Sequence, residues 1–349
     1  MDKIPVGILG ATGTVGQRFI QLLADHPWFE TVALAASDRS TGRRYAEACH
    51  WLLPTPMPEA VCDLVVQPIE PTLECRLVFS ALPADIAGPA EESFAQAGYA
   101  VCSNASSHRM DADVPLIIPE VNADHTALID VQRRQRGWDG LIVTSANCST
   151  TELALALKPL HTSFGLRKLL VVTMQAVSGA GYPGVPSLDI VDNVIPYVGG
   201  EEEKIERESR KLLGTFEHDQ VGMAPIVVSA QCNRVSVRDG HTECVSIEME
   251  QSTTVDDVIA ALEAFRPSAE VAQLPSTPAR PIIVRRETDR PQPIRDRDAG
   301  KGMAVSVGRV RPCPLFDVKF VVLGHNTVRG AAGGSIHNAE LLVSQQWIA

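Results

Sequence analysis

Three glycines at a spacing of three, Gly10, Gly13 and Gly16, stand between a short apolar run at 4–9 and an amphipathic stretch at 14–25. Val15, Phe19, Leu22 and Leu23 of that stretch share one helical face. Strand, glycine turn and helix in this order form the setting of a dinucleotide-binding βαβ unit. Glycine lets the backbone turn sharply and approach a pyrophosphate, and the helix N-terminus adds N–H donors and a favourable dipole. The spacing is G-x-x-G-x-x-G, not G-x-G-x-x-G, and a ligand-free tight turn could carry the same letters. The residues that follow the second apolar run sharpen the cofactor choice. Asp38 there favours the ribose 2′-OH of NAD, whereas Arg39 flanked by Ser37 and Ser40 suits the 2′-phosphate of NADP. The cluster of three favours NADP.

Further strand-like runs at 76–82, 99–103 and 141–145, with a helical stretch at 84–97, imply a parallel α/β sheet covered on both faces. The texture changes after 145. A helix over 149–160 is expected to stop near Pro159. Next come an apolar run, a Gly/Pro-rich loop at 178–187, and a charged helix at 200–214 whose Glu203 and Arg207 suit a solvated face. Strand-like segments at 224–230, 232–242, 242–250, 304–311 and 316–323 imply a mixed α/β unit with a mostly antiparallel sheet. The polar stretch 285–303 is expected to be a solvated loop, and 325–349 a C-terminal helix. At 349 residues, two domains are expected.

Charge and cysteine usage narrow the function. Lys+Arg number 31 against 42 Asp+Glu, a net charge of -11, so the chain offers no general footprint for nucleic acid. A small anionic substrate would need a local basic pocket against that field. No membrane span or secretory signal is expected, and eight cysteines without a C-x-x-C pair indicate a reducing cytoplasm. The His and Cys positions show no ligand spacing, so no metal is expected. Cys148 differs from the other cysteines: Asn147, Ser149 and Thr150 surround it at a strand–helix junction. A helix N-terminus favours thiolate there. Arg234 and His241 flank a turn at Asp239 and Gly240. A histidine can deprotonate a thiol and shuttle the proton, and an arginine can hold a carboxylate.

Eight ordered motifs then carry a family resemblance: the glycine turn at 10–16, SNASSHR at 103–109, IIPEVN at 117–122, SANCST at 145–150, SGAGYPG at 178–184, GGEEEKI at 199–205, RVSVRDGHT at 234–242 and GHNTVRGAAGGSI at 324–336. Together they resemble aspartate-semialdehyde dehydrogenase, in its archaeal/fungal branch, over nearly the whole chain. The resemblance implies a Rossmann-type NADP-binding domain at 1–147 completed by 327–349, and a mixed α+β catalytic and dimerisation domain at 148–326. It implies a homodimer or homotetramer acting on a small-molecule substrate: the NADPH-dependent reductive dephosphorylation of L-aspartyl-4-phosphate to the semialdehyde, a step toward lysine, methionine and threonine. It also assigns roles. Cys148 is the nucleophile that forms a thioacyl intermediate, and His241 the general acid/base. Arg234 takes the substrate carboxylate, Arg109 and Asn147 hold phosphate, and Lys204 with Glu201 makes a further phosphate and amino-group contact. Gly10, Thr12, Gly13, Thr14, Val15, Ser37, Arg39, Ser40, Ser80, Ser178, Gly179 and Asn326 match cofactor contacts. Ser236 stands where much of the branch has proline, between two key residues but replacing neither. The competing expectations are a malonyl-CoA reductase, which would not need Arg109, Lys204 and the glutamate in this form; the more distant N-acetyl-glutamyl-phosphate reductase; and a non-catalytic NADP-sensing scaffold, which predicts loss of Cys148, His241 or Arg234.

Overall fold

The computed structural model describes residues 2–348. Its first half is built on six strands: β1 (Ile4–Leu9), β2 (Phe29–Ala35), β3 (Leu77–Ser80), β4 (Ala100–Ser103), β5 (Leu116–Ile117) and β6 (Leu141–Ser145). They form one parallel sheet in the order β2-β1-β3-β4-β6-β5. The strands read as continuous apolar runs because both faces are covered. Helix α1 (Thr14–Leu23) leaves β1 through the glycine turn and packs Phe19, Ile20 and Leu23 into one core layer. Helix α2 (Ala84–Gln96) packs Ala87, Phe94 and Ala95 into the layer on the opposite face. Helix α3 (Leu128–Arg136) ends on Gly137 at φ +67°.

Helix α4 (Cys148–Phe164) starts almost directly after β6. It does not stop near Pro159 as the sequence suggested, but runs on to Gly165, whose φ is +68°. Pro159 removes one backbone hydrogen bond, at a cost of about 3 kcal/mol. That cost is outweighed because the helix is buried on almost every side, with Leu153, Leu155, Leu157 and Leu160 all fully enclosed.

The second half holds β7 (Leu166–Gln175), α5 (Glu201–Leu212), β8 (Val227–Arg234), β9 (His241–Met249), α6 (Val255–Ala264), β10 (Ile282–Arg285), β11 (Val305–Pro312) and β12 (Val318–Gly324). The strand order is β8-β7-β9-β12-β11-β10. The three central pairings are antiparallel and the two outer ones parallel, so the sheet is mixed. One face packs on α4, α5 and α6, and β7 alternates accordingly: Leu169, Val171 and Thr173 are buried, whereas Lys168 and Leu170 face outward. The expected strand at 232–242 is split. β8 ends at Arg234 and β9 begins at His241, with Gly240 at φ +100° in the connection.

The 285–303 stretch is largely exposed, as its polar letters suggest, but it is organised around one buried residue. It contains a helical turn, Pro293–Asp296, and a 3₁₀ turn, Ala299–Gly302. Asp296 is buried there, ion-paired with Arg285 and Arg290. Helix α7 (Gly333–Ser344) returns to the first sheet, where Ile336, Ala339, Leu341 and Leu342 pack with Val6, Ile8, Phe79 and Val143. Arg329, just before α7, forms a doubly hydrogen-bonded pair with Glu120, at 2.8 and 2.6 Å. No helix among the described residues is long and apolar enough to cross a membrane.

Candidate active site

The junction between β6 and α4 sets the geometry. Asn147 caps α4: its Oδ1 accepts from the Ser149 and Thr150 N–H groups at 3.1 and 3.3 Å. Its Nδ2 donates to Glu201 Oε2 at 2.6 Å. Cys148, the first helical residue, places Sγ 3.1 Å from His241 Nε2. Ninety-three positions separate the two in sequence, and β9 brings them together. The His241 ring is oriented from behind, because the Ala176 N–H donates to Nδ1 at 3.0 Å. A neutral ring held this way carries its proton on Nε2, facing the sulfur.

Electrostatics hold this dyad neutral. Burial, with the Arg234 and His325 charges, pushes His241 down to about 3. Burial and the Glu201 and Glu152 carboxylates push the Cys148 thiol far up, against the pull of the Ser149 N–H and Arg109. The helix N-terminus was expected to yield a thiolate; in the free protein desolvation outweighs it.

Around the sulfur lies a cavity of about 480 Å³ lined by Val15, Arg109, Asn147, Ser178, Gly179, Glu201, Lys204, Arg234 and Asn326. Nine of the sequence candidates thus meet at one place with Cys148. Arg234 Nη1 donates to the Ala176 carbonyl at 2.8 Å, so Arg234 and His241 are both tied to the same residue. Lys204 lies 2.9 Å from Glu201 Oε1 across one helical turn. Of the three consecutive glutamates, Glu201 faces the cavity, Glu202 accepts from the Cys232 N–H, and Glu203 is exposed. Gly179 packs closely on both: a Cβ there would lie 3.0 Å from Arg234 Nη1 and 3.3 Å from His241 Nε2. Three cations, Arg109, Lys204 and Arg234, face two carboxylates, Glu201 and Glu208, which leaves a local positive excess within an acidic protein.

Sequence reasoning missed Glu208. It is buried on α5, with Oε1 3.0 Å from Arg109 Nη1 and Oε2 accepting from the Asn147 N–H at 2.6 Å. One carboxylate thus fixes an anion-facing arginine to the cysteine turn. The signal was present: Glu201, Lys204 and Glu208 share the face of α5 that carries Ile205 and Leu212. Gln175 was missed as well; its Nε2 donates to Ser149 Oγ at 3.1 Å. So was Lys211, whose Nζ donates to the carbonyls of Arg109, Asp111 and Val114 at 2.8 Å each. Burial lowers it to about 8.

The cofactor candidates fall into two groups. Gly10, at φ +79°, lies under Ala81, where a Cβ would meet the carbonyl oxygen at 2.7 Å. A Cβ on Gly16 would sit 2.3 Å from the Gly10 oxygen. Gly13 precedes the first turn of α1, where the buried Thr14 Oγ1 has no hydrogen-bond partner among the described residues. The Thr12 carbonyl accepts from Gln17. Asn326 donates to Ser178 Oγ at 2.8 Å and accepts from the Gly240 N–H. Ser37, Arg39 and Ser40 lie beyond the end of β2, away from the cysteine cavity, with Ser37 and Arg39 exposed and Ser40 buried. Ser80 is turned inward: its Oγ and that of Ser103 both donate to Glu91 Oε1, at 2.6 and 2.7 Å. The hydroxyl proton of Ser80 is therefore committed to Glu91.

Comparison with known proteins agrees with this geometry. The family model described as "Semialdehyde dehydrogenase, NAD binding domain" matches residues 5–129, and "Semialdehyde dehydrogenase, dimerisation domain" matches residues 157–329. The chain is similar to the aspartate-semialdehyde dehydrogenase of Archaeoglobus fulgidus, 54% identical over 99% of this chain and 100% of the relative. A Methanothermobacter thermautotrophicus relative of the same name is 53% identical over 97% of this chain and 99% of its own length. The crystal structure of the Candida albicans enzyme with NADP superposes with a TM-score of 0.92 at 44% identity, covering 99% of this chain and 100% of that one. Similarity of this extent, over both halves and in both sequence and structure, makes the chain a member of the aspartate-semialdehyde dehydrogenase family.

Proposed function

We propose that the protein reduces L-aspartyl-4-phosphate to L-aspartate 4-semialdehyde with NADPH, through a thioacyl intermediate on Cys148. The observation that carries this is the Cys148 Sγ to His241 Nε2 distance of 3.1 Å inside a cavity that also holds Arg109, Lys204 and Arg234. A carboxylate, a phosphate and an acyl carbon each find a chemically matched group within it. A thioester substrate such as malonyl-CoA brings no acyl phosphate for Arg109 and Lys204 to meet.

The glycine turn fits a dinucleotide: Gly10 and Gly16 allow the close backbone approaches that shape the turn, and the Thr14 hydroxyl at the start of α1 has no partner among the described residues. Gly13, Thr12, Val15, Ser178, Gly179 and Asn326 would line its path, with Ser37, Arg39 and Ser40 placed for a 2′-phosphate. When bound, NADPH supplies the hydride that reduces the acyl carbon. Arg234 holds the substrate carboxylate and Glu201 its ammonium, while Arg109, Asn147 and Lys204 hold the phosphate. Arg234 is one of the charges that depress His241, so pairing it with a carboxylate raises the proton affinity of the ring. To act as base, His241 shifts to the Nδ1–H tautomer, giving up the Ala176 N–H bond and passing its Nε2 proton to solvent as Nδ1 gains one; Nε2 then takes the thiol proton as sulfur attacks, and that proton leaves with the phosphate. Ser149 and Thr150 N–H groups are committed to Asn147, so Cys148 N–H and His241 Nε2 are the donors left at this junction for the tetrahedral oxyanion. Its collapse after reduction regenerates the thiolate, and one solvent proton restores the resting dyad.

We assign 1–147 with 327–349 to the cofactor domain and 148–326 to catalysis and dimerisation, supported by the packing of α7 on the first sheet. The outward face of the second sheet, with Leu170 and Val227 exposed, suits a second copy in a homodimer or in a homotetramer of dimers. Eight free thiols suit the cytoplasm. The test is to mix the enzyme with L-aspartyl-4-phosphate without NADPH, quench with acid, and weigh the Cys148 peptide. A mass gain of one aspartyl group that vanishes in Cys148→Ser, while that variant still binds NADPH, is the expected result. Acylation elsewhere, or turnover by Cys148→Ser, would overturn the assignment.

A further inference from the structure

The loop at 104–115 joins β4 to β5, and its first part lines the cysteine cavity with Asn104, Ala105, Ser106 and Arg109. Two buried donors there, Asn104 Nδ2 and Arg109 Nε, have no hydrogen-bond partner among the described residues. The Arg109 guanidinium is held at its tip: Nη1 donates to Glu208 Oε1 at 3.0 Å and Nη2 to the Asn104 carbonyl at 2.7 Å. The loop's own backbone holds it less well. Its internal hydrogen bonds run from 3.1 to 3.4 Å, and the Arg109 and Val114 carbonyls accept from no backbone N–H.

One side chain from another element makes up this deficit. Lys211 Nζ donates to the carbonyls of Arg109, Asp111 and Val114 at 2.8 Å each, which uses all three of its N–H groups. Lys211 is 4% exposed, so these bonds are sheltered from water. A charged donor makes each of them stronger than a neutral amide would. Burial lowers the ammonium to about 8, against the Asp111, Asp113 and Glu208 carboxylates, so the charged form still predominates at pH 7. The loop has a second tie: Arg136 of α3 donates through Nη2 to Asp111 Oδ2 at 2.9 Å and to Asp113 Oδ1 at 2.8 Å. Those bonds go to side chains beyond Arg109 and keep the loop attached. Among the described residues, Lys211 alone bonds to the Arg109 carbonyl.

The helix that carries Lys211 also carries the second cation of the cavity. Glu201, Lys204, Glu208 and Lys211 follow one another at steps of three and four, so they form one stripe along α5. Lys204 lines the cavity, and Lys211 lies seven residues on, about 10 Å along the axis. We propose that Lys211 is a positioning residue for the phosphate site: by holding the Arg109, Asp111 and Val114 carbonyls it fixes the Arg109 backbone to α5, so that Arg109 and Lys204 meet one phosphate at a set spacing. The proposal rests on the reading that Arg109 and Lys204 hold the phosphate.

The test uses the full-length enzyme with L-aspartate semialdehyde, inorganic phosphate and NADP⁺ at pH 7, each varied in turn. Lys211→Met keeps the unbranched chain and its packing but removes the charge and all three donors. The KM for phosphate is expected to rise about tenfold, while the KM values for the semialdehyde and NADP⁺ stay within about twofold. A role in stability alone would not select phosphate among three substrates. An unchanged phosphate KM, or an equal rise in all three values, would overturn the proposal. If Lys211→Met does not fold, Lys211→Gln decides on the same readout. Its amide is one atom shorter and keeps two N–H donors, so a smaller but still phosphate-selective rise is expected, and its absence overturns the proposal. A folded wild type that shows no phosphate-dependent reduction of NADP⁺ would instead sink the functional reading, so the two failures are told apart.

Discussion

At the residue scale, the dyad is assembled by hydrogen bonds that sequence spacing does not reveal. Cys148 and His241 were legible as candidates, one from its strand–helix junction and the other from its place after a turn. Their convergence, and the Ala176 N–H that fixes the ring, were not, since a backbone donor leaves no mark in the letters. The resting protonation state was also illegible. It depends on burial and on Glu201 and Glu152, which outweigh the helix terminus that the sequence does show. With His241 pushed down to about 3, its ring should stay neutral from about pH 5 to 8 in the free enzyme. In nitrogen-15 NMR of labelled histidine, the ring signal lost in His241→Asn is expected to be non-titrating and protonated on Nε2; if the lost signal titrates near the unperturbed value of about 6.5, the arrangement is contradicted. His241→Asn is expected to lower kcat by about 10²–10⁴-fold with a smaller change in KM. An unchanged kcat would remove His241 from proton transfer.

At the scale of elements, the glycine turn, α4, α5 and the 325–332 segment each deliver a few groups to one cavity. The first two are legible because strand–glycine–helix and strand–cysteine–helix patterns are local. α5 shows its limits: charge periodicity marks a solvated helix, yet Glu208 and Lys211 are buried, held by Arg109 and by three carbonyls. Pro159 misleads for a related reason, because a local penalty of about 3 kcal/mol is overridden by burial that only the tertiary fold supplies. Glu208→Gln should loosen Arg109 from the cysteine turn. The expected readout is a several-fold rise in KM for the phosphorylated substrate with little change in NADPH affinity; an equal loss of both would point to general misfolding instead. The 325–332 segment is packed more tightly still. A Cβ on Gly330 would lie 2.6 Å from Cys148 Cβ and 2.9 Å from its Cα. Gly330→Ala should therefore cost about 1–3 kcal/mol of stability and displace the nucleophile. Unaltered melting and kcat would show that the segment can move away freely.

At the scale of the whole molecule, the chain closes on itself. α7 completes the layer over the first sheet, and the Glu120–Arg329 pair ties that sheet to the segment that reaches Cys148. Burial raises Glu120, but the Arg329 guanidinium and the His337 ring outweigh it and hold the carboxyl at about 2. Its folded-state value lies below the unfolded one of about 4.3, so its contribution, about 3 kcal/mol, is present above pH 5 and is lost as pH falls toward 2. Unfolding midpoints of the wild type should fall over that window. Glu120→Gln should be less stable at neutral pH by about 3–5 kcal/mol, because Arg329 is left buried and unpaired, and its acid slope should be shallower. An unchanged slope would contradict the role of this pair. Two-domain α/β organisation was legible from length and the order of elements. The ordered 285–303 stretch was not, because the buried Asp296 that organises it looks like any loop aspartate. The central claim is that this one cavity performs phosphate-dependent oxidoreduction of aspartate semialdehyde. The most direct test supplies L-aspartate semialdehyde, inorganic phosphate and NADP⁺ and follows NADPH absorbance, with NAD⁺ in a parallel cuvette. NADPH formation that requires phosphate and is weaker with NAD⁺ is the predicted result; folded enzyme that binds NADPH yet stays silent with both cofactors would contradict the account.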